Sequence, residues 1–245
     1  GANGAGIGGS MNNGTNKITI KGGTVEAKGG LYAAGIGGGI GIGGGIGGGG
    51  EDITIKGGRV TATGGDYGAG IGGGSGGSGK NITINGGTVT AAGGFNGAGI
   101  GGGIIGSGEN ITITGGEVKA TGGANGAGIG GSNVTVSGAA QVTATAGKGS
   151  RYAGAGATIG GGGSSTQDSD GNTVPTPGTE IQADIKGLTT GYIHHIIYEQ
   201  DGTTIKREWW EPVRPQPNPE DPNAPTEESN EVDLGTPLLH VETLE

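Results

Sequence analysis

The chain contains no cysteine, one phenylalanine and two tryptophans, and aromatic residues make up only 3% of its 245 positions. The absence of cysteine excludes a disulfide framework and a thiolate metal site, which suits either a cytosolic protein or a bacterial surface protein built without disulfides. The scarcity of aromatic side chains excludes an ordinary globular domain with a large core. No apolar run approaches the roughly 20 residues of a membrane-spanning helix, so we expect no membrane insertion in this fragment.

Charged residues are few and unevenly placed. Residues 1–163 carry nine Lys or Arg and six Asp or Glu, residues 164–210 carry three and seven, and residues 211–245 carry one and nine. The net charge of −9 therefore arises after residue 163. The mildly positive first part shows no clustered basic face, and we expect no nucleic-acid partner.

Glycine is abundant, with 68 copies, and its arrangement indicates order rather than disorder. A collagen-like chain would need glycine at every third position, and a flexible linker would lack the isoleucine and valine that return here at fixed offsets. The motif GIGG or a close variant recurs six times, which predicts one stacked repeat unit. The isoleucines of these copies are Ile7, Ile36, Ile71, Ile100, Ile129 and Ile159.

One repeat unit, NITINGGTVTAAGGFNGAGIGGG, covers residues 81–103. It holds three short pieces in which apolar and polar residues alternate, and this period of two predicts three β-strands per coil. Glycine pairs such as Gly86–Gly87 separate the first two pieces, where a corner needs a residue without a side chain. The side chains predicted to point inward are Ile82, Ile84, Val89, Ala91, Ala98 and Ile100.

Successive coils differ in length at one place only. Their first isoleucine or valine is spaced by 35, 29, 29 and 23 residues, and the extra residues follow the GIGGG piece at Ile40–Gly50, Ser75–Gly79 and Ile104–Gly108. Insertions confined to one corner leave stacked strands in register. The residues before each first strand share one corner, where the asparagines among them can pair amide to amide between coils, and they are Lys17, Asp52, Asn81, Asn110 and Asn133.

These features together predict an all-β fold, a right-handed parallel β-helix of about five and a half coils over residues 1–163. The pattern GGTVTAxGG…GAGIGGG resembles the parallel β-helix repeats of bacterial surface adhesins and of some β-helical carbohydrate-binding proteins. The resemblance implies an extracellular or cell-surface location in a bacterium. Because the chain opens inside a repeat, we expect it to be part of a longer protein.

The pattern stops after residue 163, and the rest divides into four parts. Residues 164–180 read as a linker rich in Ser, Thr, Asp and Pro. Residues 181–211 predict a small β unit or cap with strands at 181–185, 191–198 and 203–210, the last two joined by a turn at Gln200–Gly202. Residues 212–233 form an acidic, proline-rich linker, and residues 234–245 begin a further element or a tail.

Catalytic and metal-binding patterns are missing from the repeats. A β-helical lyase or hydrolase needs clustered carboxylates. The few acidic residues of the repeats are scattered, and Glu26 and Glu117, for example, lie in different coils and do not form a pair. The aspartate of the calcium-binding nonapeptide GGxGxD is absent from every GIGGG copy. His194 and His195 are neighbours in a predicted strand and should point to opposite faces. We expect no enzymatic activity, no metal and no cofactor.

A row of threonines allows a different function. Thr19, Thr54, Thr83, Thr112 and Thr135 should stack outward on one face, as the flat hydroxyl arrays of ice-binding solenoids do. The neighbouring row contains Lys21 and Lys56, and their charges interrupt such a plane. Threonine is also simply a favourable residue for an exposed strand.

The best candidate for a binding site is a row of polar and aromatic residues four positions before the third-strand isoleucines. Aromatic rings along a groove can stack on sugars, and the adjacent glycines leave backbone that a ligand can approach. The alternative, that the rings only cover a corner of the core, stays open. The candidate ligand-binding residues are Tyr32, Tyr67, Phe95, Asn96, Asn125 and Tyr152.

The function predicted from the sequence is a non-enzymatic, adhesin-type surface module that binds a polysaccharide or a host or cell-surface glycan. One alternative is a purely structural stalk or the outer variable domain of a surface filament. A lesser alternative is an ice-binding β-solenoid.

Overall fold

The computed structural model describes residues 3–15, 17–40, 48–212, 215–216 and 227–228. Strands of successive coils lie directly on one another and pair in parallel, which confirms the predicted all-β solenoid. No helix in this part of the chain is long and apolar enough to cross a membrane. Most of the predicted acidic linker and the whole element at 234–245 lie outside the described residues.

Three parallel sheets form the walls of the solenoid. The first sheet contains Ile18–Ile20, Gly50–Glu51, Ile53–Ile55, Gly79–Ile84, Gly108–Ile113 and Ser132–Val136. The second contains Thr24–Lys28, Arg59–Thr63, Thr88–Ala92, Glu117–Thr121 and Gln141–Thr145. The third contains Ile7–Gly8, Ile36–Gly37, Ile71–Gly72, Ile100–Gly101, Ile129–Gly130 and Ile159–Gly160.

The core is a set of aliphatic columns that run along the solenoid. In the second sheet Val89 pairs with Val60 below and Val118 above, and in the third sheet Ile100 pairs with Ile71 and Ile129. All six side chains predicted to point inward from residues 81–103 are buried, and Ile82, Ile84 and Ile100 are fully inaccessible. Each coil therefore buries its apolar side chains against identical or similar ones in the next coil.

Two corners use unusual backbone conformations. Asp52, Asn81, Asn110 and Asn133 all have φ between 52° and 56°, a left-handed conformation that asparagine and aspartate tolerate better than most residues. The predicted ladder is present, because Asn81 Nδ2 donates to Asp52 Oδ1 at 2.9 Å and Asn110 Nδ2 donates to Asn81 Oδ1 at 3.1 Å. At the next corner the second glycine of each pair also has positive φ, for example 90° at Gly87.

A hairpin extends the second sheet beyond the last coil. Its first strand, Tyr192–Tyr198, pairs in parallel with Gln141–Thr145, and its second strand, Ile205–Glu211, pairs antiparallel with the first. We call residues 192–211 the cap hairpin. The strand predicted at 181–185 is wrong, because within it only Asp184 makes a bridge, to Thr135, while the flanking residues Glu180 and Leu188 bridge to Gly160 and Gly138. It crosses the end of the solenoid, so its pairing is spread over several strands.

The segment predicted as a linker also contains structure. Ser164–Gln167 pairs antiparallel with Thr173–Thr176 in an exposed hairpin. Its turn is closed by the Asp168 carboxylate, which accepts hydrogen bonds from the backbone N–H groups of Asp170 and Asn172. The side chains of both strands are mostly exposed, so the sequence lacks the alternation of apolar and polar residues by which a strand is predicted. A two-residue pair, Pro215–Gln216 with Glu227–Glu228, completes the described strands.

The aliphatic columns make inward substitutions costly. Ile100→Asp places an unpaired carboxylate between Ile71 and Ile129, and we expect a loss of about 3 kcal/mol or more in the free energy of unfolding. The matched control is Thr90→Asp, an exposed position between Thr61 and Lys119. Thermal melting of both variants checks this, and equal losses would contradict the assignment of inward and outward faces.

The corner ladder combines a backbone preference with a side-chain hydrogen bond, and two substitutions of Asn110 separate them. Asn110→Gly keeps the favourable backbone conformation and removes the amide, whereas Asn110→Ala loses both. We expect the alanine variant to be less stable than the glycine variant by about 1 kcal/mol in urea unfolding. Equal stability of the two variants would show that the backbone conformation contributes nothing.

Candidate functional site

The predicted row exists as a column of corner residues. The Tyr67 N–H donates to the Leu31 carbonyl at 3.1 Å, the Asn96 N–H to the Asp66 carbonyl at 3.1 Å, and the Asn125 N–H to the Phe95 carbonyl at 3.0 Å. Tight turns shape each level, since Gly97 N–H bonds back to the Gly94 carbonyl. The parallel register of the third sheet places these turns one above another. We call Tyr32, Tyr67, Asn96 and Asn125 the corner row.

The two tyrosines of the corner row contact one another. Their ring centroids are 5.1 Å apart and the planes differ by 10°, so the rings are stacked. Both residues are half-buried. Stacking covers one face of each ring, and both side chains keep part of their surface exposed.

The two asparagines of the corner row are joined in the same way. Asn125 Nδ2 donates to Asn96 Oδ1 at 2.8 Å. Asn125 is only 7% exposed, and its Oδ1 is buried without a protein partner. Asn125 therefore supports Asn96 from inside, and Asn96 is the more accessible member of the pair.

The other two predicted residues lie outside the row. Phe95 is 52% exposed and occupies the position before the row, equivalent to Leu31 and Asp66. Leu31, 43% exposed, is an apolar neighbour that the sequence analysis missed because it is not aromatic. Tyr152 is 61% exposed, and the Arg151 guanidinium lies 4.5 Å from its ring centroid. Tyr152 shares the general corner but is not in contact with the stacked tyrosines.

Beside the corner row, one missing loop opens a cavity. The connection after Ile100–Gly101 is the loop Gly102–Ser107, whereas after Ile129–Gly130 the single residue Gly131 leads into Ser132. The loops of earlier coils stack on each other, with the Ser107 N–H donating to Ser78 Oγ at 3.3 Å. Where the stack ends, a cavity of about 320 Å³ forms. The 23-residue spacing to the fifth coil was the sequence signal for this gap.

The cavity wall is neutral and partly polar. Polar side chains come from Asn96, Ser107, Ser132 and Thr179, and apolar carbons come from Ala98, Ala127 and Ile181. Glycine backbone from the loop Gly102–Gly108 and from Gly160–Gly162 completes the wall, and none of the lining side chains is ionisable. Asn96 belongs to both the corner row and the cavity, so the two form one continuous candidate site.

The described ranges contain no cluster of side chains that could bind a metal ion. No three His, Asp or Glu side chains gather there as a metal site requires. His194 stacks on Trp210 and His195 on Trp209, on opposite faces of the cap hairpin, as the alternation of a strand predicts.

Comparisons with known proteins bear on the repeats. A family model described as a beta helix repeat matches residues 18–40, 53–75, 82–104 and 111–133. Each match starts at the first-strand isoleucine and has the length of the shortest coil, 23 residues. A search of curated proteins and a search of solved structures each found no match.

Proposed function

Because residues 18–133 make this chain a parallel β-helix repeat protein, we propose that the solenoid is a non-enzymatic module that binds a neutral polysaccharide. We further propose that it belongs to an adhesin-type protein at a bacterial cell surface. The observation that carries the proposal is the continuity of the corner row with the neutral cavity through Asn96.

The chemistry of the site suits a sugar. A pyranose offers an apolar C–H face and a ring of hydroxyl groups, and binding sites for such ligands combine aromatic or aliphatic surface with a few placed polar groups. Here Phe95 and Leu31 present exposed apolar surface, while Asn96, Ser107 and Ser132 present amide and hydroxyl groups. The absence of ionisable side chains from the lining favours a neutral sugar over a uronate.

The repeat favours a polymer over a monosaccharide. Coils stack roughly 4.8 Å apart, so the two tyrosines and then the two asparagines of the corner row follow one another at this spacing along the solenoid. A chain of sugars can contact several levels at once, and contacts that are weak singly become effective when they are linked. Affinity should therefore rise with the length of the oligosaccharide.

Catalysis is left out of the proposal because glycoside cleavage needs two carboxyl groups beside the bound sugar. The carboxyls whose pKa burial raises are Glu180 and Glu211. Neither lines the cavity. Glu180 instead accepts hydrogen bonds from Thr158 and Ile159.

A purely structural stalk is the second candidate, and the stacked tyrosines favour it. Tyr32 and Tyr67 cover each other, and Asn125, at the end of the row, is buried. In that case the corner row only seals the edge of a narrow core, and the solenoid serves as a spacer.

Removal of the aromatic surface tests the first candidate. The triple variant Tyr32→Ala, Tyr67→Ala, Phe95→Ala should lose about 100-fold in affinity, since each ring contributes on the order of 1 kcal/mol. Affinity electrophoresis in gels containing a β-glucan, a mannan or a galactan measures this, with polygalacturonate as the charged control. If the triple variant unfolds, or if wild type is not retarded by any neutral polymer, the stalk is favoured.

Filling the cavity tests the same site without touching the rings. Ser132 is exposed at the cavity edge, and Ser132→Trp should weaken retardation by at least about tenfold while leaving the melting temperature unchanged. Ser165→Trp, in the exposed hairpin away from the cavity, is the control and should bind as wild type. Unaltered binding by Ser132→Trp would place the ligand outside the cavity.

A further inference from the structure

The junction between the last coil and the cap hairpin holds buried polar groups that the binding site does not use. His195 points inward from the hairpin and is 2% exposed, and Thr158 in the last coil is fully buried. Glu180, which lies on the segment that crosses the end of the solenoid, and Glu211, at the end of the hairpin, complete the group. These four residues link three parts of the chain.

The hydrogen bonds at Glu180 determine which of Thr158 and His195 is the donor in the hydrogen bond between them. Its carboxylate accepts from the backbone N–H groups of Thr158 and Ile159, and its Oε2 lies 2.8 Å from Thr158 Oγ1 as acceptor. Thr158 has one hydroxyl proton, and that proton is used on Glu180 when Glu180 is ionised, the form that its two backbone N–H donors favour. Thr158 Oγ1 must therefore accept from His195 Nδ1, which lies 2.6 Å away.

This assignment leaves two acceptors facing each other. With the proton on Nδ1, a neutral His195 ring carries only a lone pair on Nε2. Nε2 lies 3.9 Å from Glu211 Oε2, and both atoms are buried without a hydrogen-bond partner. Two unsatisfied buried acceptors are unfavourable, and a single proton would satisfy both once the atoms close from 3.9 Å to hydrogen-bond distance.

We propose that one proton held between Glu211 and His195 latches the cap hairpin onto the last coil, so that docking of the hairpin depends on pH. Loss of the proton leaves a carboxylate against a bare ring nitrogen and loosens the hairpin. An opened hairpin frees the edge of Gln141–Thr145, a strand to which another chain can pair.

Burial and, to a lesser extent, the neighbouring charges place the proton on the carboxyl. Burial raises the pKa of Glu211, with a further increase from the negative charge of Glu180. Burial also lowers the pKa of His195 to about 3, assisted by the charges of His194 and Arg207. The neutral pair of a protonated Glu211 and an uncharged His195 agrees with both directions.

The other charged groups around the pair have partners of their own. Arg207 lies 4.1 Å from the ring centroid of Trp209, which stacks on His195. On the outer face Glu208 pairs with His194, and Lys148 lies beside the hairpin turn at Gly202. The strand Gln141–Thr145 brings no ionisable side chain to the junction.

The sign of the pH effect follows from these shifts. The raised pKa of Glu211 adds stability that is complete below its ordinary value of 4.5 and is lost as pH rises through the folded value. The lowered pKa of His195 adds stability that is complete above 6.5 and is lost as pH falls toward 3. Docking of the cap hairpin is therefore strongest in mild acid and weakens toward alkaline pH, as one proton is released.

The tryptophans provide a local probe, because the chain has only two and both lie in the cap hairpin. Urea titrations of the whole chain, followed by tryptophan emission at pH 6.0 and 8.5, should show an earlier cap transition at pH 8.5. Between the ordinary value of 4.5 and the raised folded pKa of Glu211, the equilibrium constant for opening should rise about tenfold per pH unit, and above the folded pKa it should level off. Far-UV circular dichroism reports the solenoid separately.

Two glutamine variants identify the carboxyl. Glu211→Gln supplies a permanent N–H donor to His195 Nε2 and should remove the pH dependence between 6.0 and 8.5. The matched control, Glu208→Gln, alters the outer His194 pair and should keep the wild-type dependence. The proposal is overturned if wild type shows no dependence, or if Glu211→Gln retains it.

A spectroscopic measurement covers the case in which Glu211→Gln does not fold. Infrared difference spectra of wild type should show a protonated carboxyl band at pH 6.0 that disappears as the cap transition moves toward pH 8.5. A wild-type spectrum without that band at pH 6.0 would overturn the latch. Binding of polysaccharide plays no part in these measurements, so their outcome is independent of the proposed function.

Discussion

Parallel pairing between coils is the constraint on which the rest of the structure depends. The core is only a few side chains wide, so no single coil can bury its isoleucines, and each coil is stable only against its neighbours. Register must therefore be kept at every level, since a shift of one residue would turn Val89 and Ala91 outward. The corner residues with positive φ, such as Asn110 and Gly87, let the chain turn without disturbing that register.

The same constraint decides where the molecule can differ from its own repeat. Strand positions are held by neighbours above and below, while a corner loop meets only other corner loops. Variation therefore concentrates at corners: tyrosine gives way to asparagine along the corner row, and the loop after Gly130 is missing. The candidate site arises from these two departures on a regular scaffold, a common arrangement for binding sites.

Much of the fold could be predicted from the sequence because its information is local and repeated. The positions of Ile82, Val89 and Ile100 follow from alternation alone, and the corner ladder follows from the recurrence of Asn81 and Asn110. The shared corner position of Tyr32 and Tyr67 followed from the repeat, whereas the stacking of their rings on each other was found only in the structure. The cavity was harder to predict from the sequence, because it depends on the absence of a loop rather than on the presence of a motif.

The polar contacts between the last coil and the cap hairpin could not be predicted from the sequence. Thr158, Glu180, His195 and Glu211 share no period and are brought together only when the chain crosses the end of the solenoid. The hairpin at 164–176 was missed for a related reason, because its exposed strands carry no apolar alternation. A tertiary contact that occurs only once leaves no periodic signal in the sequence, so pattern analysis cannot predict it.

The equal spacing of equivalent residues has a consequence for how such a protein can change. Ser78 and Ser107, Asn81 and Asn110, and Asn96 and Asn125 are each 29 residues apart and in contact. Deleting or duplicating one such interval joins matching positions, so recombination between near-identical repeats yields a chain that still closes every corner. The length of the solenoid can therefore change by mutation in steps of one coil, roughly 4.8 Å each, and every added coil folds as its neighbours do.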